Sequence, residues 1–166
     1  MGAVAIWGKL RTLARLSPEA RRAGLRALPA LVGISLALRL AGFARTHRSL
    51  GRLHAPAANT PSSAEEVAAG VALAARALPW HPRCLERSLA LILLLRRRGL
   101  PARLRIGVRK AAEEGRQGVS PPAIEAHAWV EVAGRVVGDG ADVHERFLAF
   151  EGDLRTAALS LARTRR

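Results

Sequence analysis

Apolar and polar positions change their spacing several times along this 166-residue chain, and each change marks an element. Up to about residue 54 the spacing is helical and the charges basic. Ser17, Pro18 and Glu19 form a helix N-cap and first turn, which predicts a helix over residues 18 to about 40, bent near Pro29. The stretch HAPAANTPSS at 54–63 has no periodic apolar residues and reads as a surface connection. Ser63 and Glu66 then have capping-box spacing and open a helix over 64 to about 78, which Pro79 and Pro82 stop.

The next helix, over about 83–98, carries Leu85, Leu89, Ala90, Leu91, Ile92, Leu93, Leu94 and Leu95, so no face is polar and burial on all sides follows. Glu86 in its first turn and Arg96, Arg97 and Arg98 in its last agree with the helix dipole, and the arginines predict a solvated end. Gly99 and Pro101 supply the stop. Beyond them the period drops to two. Residues 102–108 read as a half-buried strand, 110–123 as a mobile loop, and 126–132 with 135–138 as a hairpin turning near Gly134. A last amphipathic helical stretch with a basic end occupies 153–166. The pattern implies an α+β chain with a basic apolar helical arm at 1–54, a core at 64–152 and a helical tail at 153–166.

Composition changes this picture in three places. Apolar residues make up 49%, enough for one buried core, which removes disorder as the main state. The net charge of +14 raises nucleic acid or an anionic membrane as partners. Its cations are nearly all arginine, with Lys9 and Lys110 the only lysines, and no aromatic residue interleaves a basic run, so nucleic acid binding is not expected. The single cysteine, Cys84, excludes an intramolecular disulfide framework and suits the cytoplasm. Residues 1–16 lack the order of a secretory signal and read as retained. The near-continuous apolar run at 27–43 holds 17 residues and is interrupted by Pro29, Gly33, Ser35 and Arg39. A spanning helix wants about 20, so the run reads as a buried or partner-facing helix, with peripheral membrane contact as the competing role.

Chemistry concentrates on three residues. Cys84 stands at the start of the all-apolar helix, where unpaired backbone N–H groups and the dipole favour negative charge on sulfur. A nucleophilic cysteine needs a base and a group that orients it. His127 opens the strand AHAWVEV and shares a face with Trp129 and Glu131, with Ala126, Ala128, Val130 and Val132 on the other. The orienting carboxylate comes from the returning strand. With a two-residue loop at Ala133 and Gly134, strict alternation puts Gly138, Gly140 and Asp142 on the face of His127, whereas a longer loop or a bulge puts Asp139 there. Asp139 is the preferred partner and Asp142 the fallback. Zinc on His81, Cys84 and His127 is the chemical rival, but no second cysteine or HExxH pair occurs and no metal or other cofactor is expected. No GxxxxGK[ST] phosphate loop is present.

The order of helix-capping Cys, strand His and Asp on the next strand resembles the transglutaminase-like and papain-like cysteine hydrolases. CLERSLALILLLRRRGLPARLRIGV from Cys84 and HAWVEVAGRVVGD from His127 closely resemble the leader peptidase of lasso-peptide biosynthesis, in the stand-alone form that matches the C-terminal half of the fused B protein. The resemblance covers about 64–150. It implies a buried helix with Cys at its N-terminus packed on a small antiparallel sheet, a triad of Cys84, His127 and Asp139, and cytoplasmic removal of the leader from a ribosomally made precursor peptide. The family supplies leader recognition as a separate protein or an N-terminal fusion. A separate recognition protein is therefore an expected partner, and the apolar arm around 31–43 is a docking candidate for it or for the macrocycle-forming synthetase. The alternative is a scaffold of the same fold that binds and presents a peptide without cutting it.

Overall fold

The all-apolar helix lies at the centre of the molecule, because only a position enclosed by other elements can bury every one of its faces. A computed structural model describes residues 18–53, 64–110 and 124–150. The expected connection at 54–63 with Ser63, the loop after Lys110, the tail at 153–166 and residues 1–17 lie outside the described residues. In chain order the elements are α1 (Pro18–Gly51), α2 (Ala64–Ala77), α3 (Cys84–Arg96), β1 (Ala102–Lys110), β2 (Ile124–Val132), β3 (Arg135–Val137), α4 (Val143–Arg146) and β4 (Leu148–Ala149). Helix α3 packs against α1, α2, β1 and β2. Leu89, Ile92 and Leu95 are fully enclosed, while Leu93 and Leu94 remain half-buried.

The four strands form one antiparallel sheet in the order β3-β2-β1-β4. Strand alternation divides its two faces. Ala102, Val130 and Val137 join the main core with the three long helices. Trp129 belongs to a second, smaller cluster on the other face with Val143 and Phe147, supplied by and next to the one-turn helix α4. The sequence pattern predicts β1, β2 and β3, but α4 and β4 are too short to show any period.

Helix α1 differs from its expected form. It continues to Gly51, and its backbone leaves helical geometry at Gly42 (φ 74, ψ 172) rather than at Pro29, which the helix carries inside. Glycine alone adopts that φ without a Cβ clash, so the break falls where the sequence makes it cheapest. The helix also joins the core. Ala27, Leu31, Ile34 and Leu50 are buried with the side chains of α2 and α3. Its approach to α2 depends on Gly70, where an added Cβ would lie 2.7 Å from the Cβ of Ala23.

The arginines after α3 do not all point to solvent. The Arg96 guanidinium donates to the carbonyl of Leu50 at 2.8 Å from Nη1 and to that of Ala102 at 3.2 and 3.0 Å from Nε and Nη2. One side chain thus closes the end of α1, the end of α3 and the start of β1. Desolvation by burial pushes its pKa below the ordinary arginine value, and it stays charged. Beyond it Gly99, at φ 75, lets the chain reverse, and the N–H groups of Gly99 and Leu100 donate to the carbonyls of Arg96 and Leu95.

Arg96→Met removes these hydrogen bonds from the carbonyls of Leu50 and Ala102, so urea denaturation should show a loss of about 1–3 kcal/mol. Arg97→Met, at an exposed position in the same turn, should stay within about 0.5 kcal/mol of wild type. Equal effects at the two positions would contradict the bridging role.

Candidate active site

Cys84 is the first residue of α3 and is half-buried. Arg83 before it is extended (φ −69, ψ 165), and its N–H donates to Glu86 Oε2 at 2.7 Å. Glu86 therefore stabilises the helix start from the third helical position, as in a capping box whose cap residue is not Ser or Thr. The N–H of Cys84 remains among the first-turn donors that have no partner within the helix. One turn on, Ser88 Oγ donates to the carbonyl of Ala128 at 2.9 Å, buried between helix and sheet. That bond fixes α3 against β2 one residue from His127.

His127 shares its strand face with Trp129 and Glu131, as alternation predicts, and this is the face turned away from α3. Its ring lies 5.0 Å from the Phe147 ring at an interplanar angle of 29°. Phe147 is buried, and the Arg109 guanidinium sits 4.8 Å from its centroid. Trp129 lies across Gly107, where a Cβ would come within 2.9 Å of the indole. Glu131 is 6% exposed and pairs with Arg105 at 3.0 Å, lies 3.4 Å from His144 Nε2, and accepts from Trp129 Nε1 at 3.3 Å. It holds the floor on which the imidazole rests.

The third residue is placed by a turn that strict alternation does not describe. Val130 pairs with Val137 and Val132 with Arg135, so the hairpin loop is two residues long. Ala133 (φ 49) and Gly134 (φ 79) both take positive φ, as tight hairpin turns require. Neither the longer loop nor a bulge is used. Instead β3 ends at Val137, and Gly138 at φ 77 redirects the chain. Asp139 then accepts a hydrogen bond from His127 Nε2 at 2.5 Å through its Oδ2. Its Oδ1 accepts from the Gly140 N–H at 2.8 Å and lies 3.6 Å from Arg146 Nη2. Asp142, the fallback, pairs with Arg146 Nε at 2.9 Å.

Cys84 and Asp139 line one pocket, together with Arg87, Ser88, Ala128 and Gly138. His127 does not line this pocket; its ring bonds to Asp139, which does, and no hydrogen bond from the Cys84 sulfur to the imidazole is formed in the structure. The aspartate holds Nε2, which leaves Nδ1 as the ring nitrogen available to a thiol. His81 is exposed, and among the described residues no group of three or more His, Cys, Asp or Glu side chains is arranged to hold a metal ion. Sequence reasoning missed Ser88, Phe147 and Arg146. The i,i+4 spacing of Asp142 and Arg146 was the one visible signal, and it says nothing of Asp139.

The family description that matches is the Transglutaminase-like superfamily, over residues 28–150, from within α1 to the residue after β4. No curated protein and no solved structure matches the chain.

Gly138→Ala puts a Cβ at φ 77 and 3.1 Å from both Ala68 Cβ and Leu91 Cδ2. A loss of about 1–2 kcal/mol in unfolding free energy is expected, with displacement of Asp139 seen as a changed His127 ring environment by NMR. Gly33, which has nothing within 4 Å of an added Cβ, is the control, and Gly33→Ala should be neutral or slightly stabilising.

Proposed function

Because the chain belongs to the transglutaminase-like superfamily, whose members include cysteine peptidases, we propose that it is a cysteine peptidase with Cys84 as nucleophile, His127 as base and Asp139 as orienting carboxylate. The observation that carries this reading is the His127–Asp139 hydrogen bond, whose aspartate lines one pocket with Cys84 at the start of α3. The proposed substrate is a ribosomally made lasso-peptide precursor, cut between leader and core with the help of a separate leader-recognition protein. The wording of the sequence around Cys84 and His127 supports that narrower reading.

In the proposed reaction His127 Nδ1 takes the Cys84 proton as the peptide docks and the sulfur attacks the scissile carbonyl carbon. The carbonyl oxygen gains the electron pair and is met by the N–H of Cys84 at the helix start, whose dipole favours that charge. Collapse of this intermediate breaks the C–N bond, and the imidazolium gives its proton to the departing amine. A water molecule, deprotonated by His127, then attacks the thioester and releases the leader carboxylate with the free thiol restored. Asp139 keeps the ring oriented through Nε2 and stabilises its charged form, and Arg146 with the Gly140 N–H holds the carboxylate in turn. Hydrogen bonds of this kind often tighten only when substrate is bound, which suits a site whose sulfur and imidazole are not yet joined.

One observation favours a second reading. A scaffold that presents a peptide without cutting it needs no bond between sulfur and imidazole, and none is formed here.

Incubating precursor, recognition protein and either wild type or Cys84→Ala, with masses read over time, separates the two. The peptidase reading expects leader loss with wild type alone, and equal cleavage by both would remove it. Asp139→Asn should lower the rate by about 10³–10⁴-fold through loss of ring orientation, whereas Asp142→Asn should leave it within about tenfold. The reverse order would return the assignment to Asp142.

A further inference from the structure

Helix α1 has two apolar faces and the fold uses one. Ala27, Leu31 and Ile34 enter the core. On the opposite side Leu25, Pro29, Val32, Gly33, Leu36 and Leu40 are exposed, with Leu25 at 67%, Leu36 at 54% and Leu40 at 77%. At the helical rise these positions form a continuous stripe about 24 Å long. Monomeric proteins rarely leave such a stripe to water. Its surroundings are cationic. Arg22 lies at its N-terminal end, Arg39 beside Leu36 and Leu40, and Arg45 and Arg48 follow beyond Gly42, all four exposed. From residue 20 to residue 53 the chain has no Asp or Glu.

Among the described residues, α1 over Arg22–Gly51 is long and apolar enough to cross a bilayer by length and composition. Spanning would strip Ala27, Leu31 and Ile34 from α2 and α3, whereas lying flat leaves the core intact and covers the stripe. We propose that α1 docks in the plane of an anionic lipid surface, with Leu25, Val32, Leu36 and Leu40 in the boundary between headgroups and acyl chains and the arginines on lipid phosphates. Long apolar side chains in a row with cations at the rim are what an interfacial helix presents. A nucleic acid leaves the leucines exposed. A protein groove finds no hydrogen-bonding side chain within the stripe to set its register. The placement is independent of the peptidase reading, since none of these residues belongs to the pocket of Cys84.

The full chain, mixed with vesicles of phosphatidylcholine alone or with 30% phosphatidylglycerol (about one anionic lipid in three, chosen to give a surface potential), is tested by co-flotation. Binding should appear on the anionic vesicles and fall severalfold on raising the salt, because each arginine near such a surface is screened within a Debye length. Leu36→Gln with Leu40→Gln should cut binding at least tenfold while the thermal midpoint stays unchanged. Arg22→Gln with Arg39→Gln should cut it severalfold. No binding to anionic vesicles overturns the proposal. So does wild-type binding by the leucine variant, or a lowered midpoint in that variant, which would mean that another segment of this chain or a second copy already covers the stripe.

Discussion

One packing constraint sets the rest of this molecule. Helix α3 has no polar face, so α1 and α2 must close over one side and the sheet over the other. Enclosure alone would let the helix slide. The buried Ser88 hydroxyl, bonded to the carbonyl of Ala128, fixes the axial position, because leaving it unsatisfied in that interior costs about 1–3 kcal/mol. With Ser88 fixed, Cys84 comes one turn earlier, at the rim of the same interface.

The sheet answers at that rim. Strand β3 is only three residues long, and its early end leaves the edge of β2 opposite β1 without a hydrogen-bonded neighbour beyond Val130. Gly138 turns the chain into this gap and delivers Asp139 to His127. The imidazole is then bounded by Phe147 and tied to the aspartate, and the aspartate is tied to Gly140 and approached by Arg146. The structure thus joins His127 to Asp139 and leaves the Cys84 sulfur without a hydrogen bond to the ring. Helix α1 takes part in the same core on one side and keeps an apolar, arginine-rimmed stripe on the other.

Much of this was legible in the residues themselves. The apolar wrap of α3, the alternation in β1 and β2 and the turn at Gly134 each have a period or a punctuating residue that local rules read directly. The places of Cys84 at a helix start and of His127 on a strand were readable in the same way. Asp139 did not follow from register. Alternation with a two-residue loop points it away, and the structure keeps that loop while a positive φ at Gly138 does what a bulge was expected to do. Phe147, Arg146 and the bridging Arg96 depend on contacts between distant segments, which leave no local signature. The same holds for the end of α1 at Gly51; the burial of Leu31 and Ile34 agrees with the buried reading of the apolar run at 27–43.

In the proposed reaction His127, oriented by Asp139, acts on the sulfur of Cys84. Cys84 is the sole thiol, so alkylation of the native chain by iodoacetamide at neutral pH, followed by mass spectrometry, reports on that atom alone. His127→Ala should slow alkylation of the folded protein by about tenfold or more, since the imidazole no longer draws the proton from sulfur. An unchanged rate in a folded His127→Ala variant would contradict it.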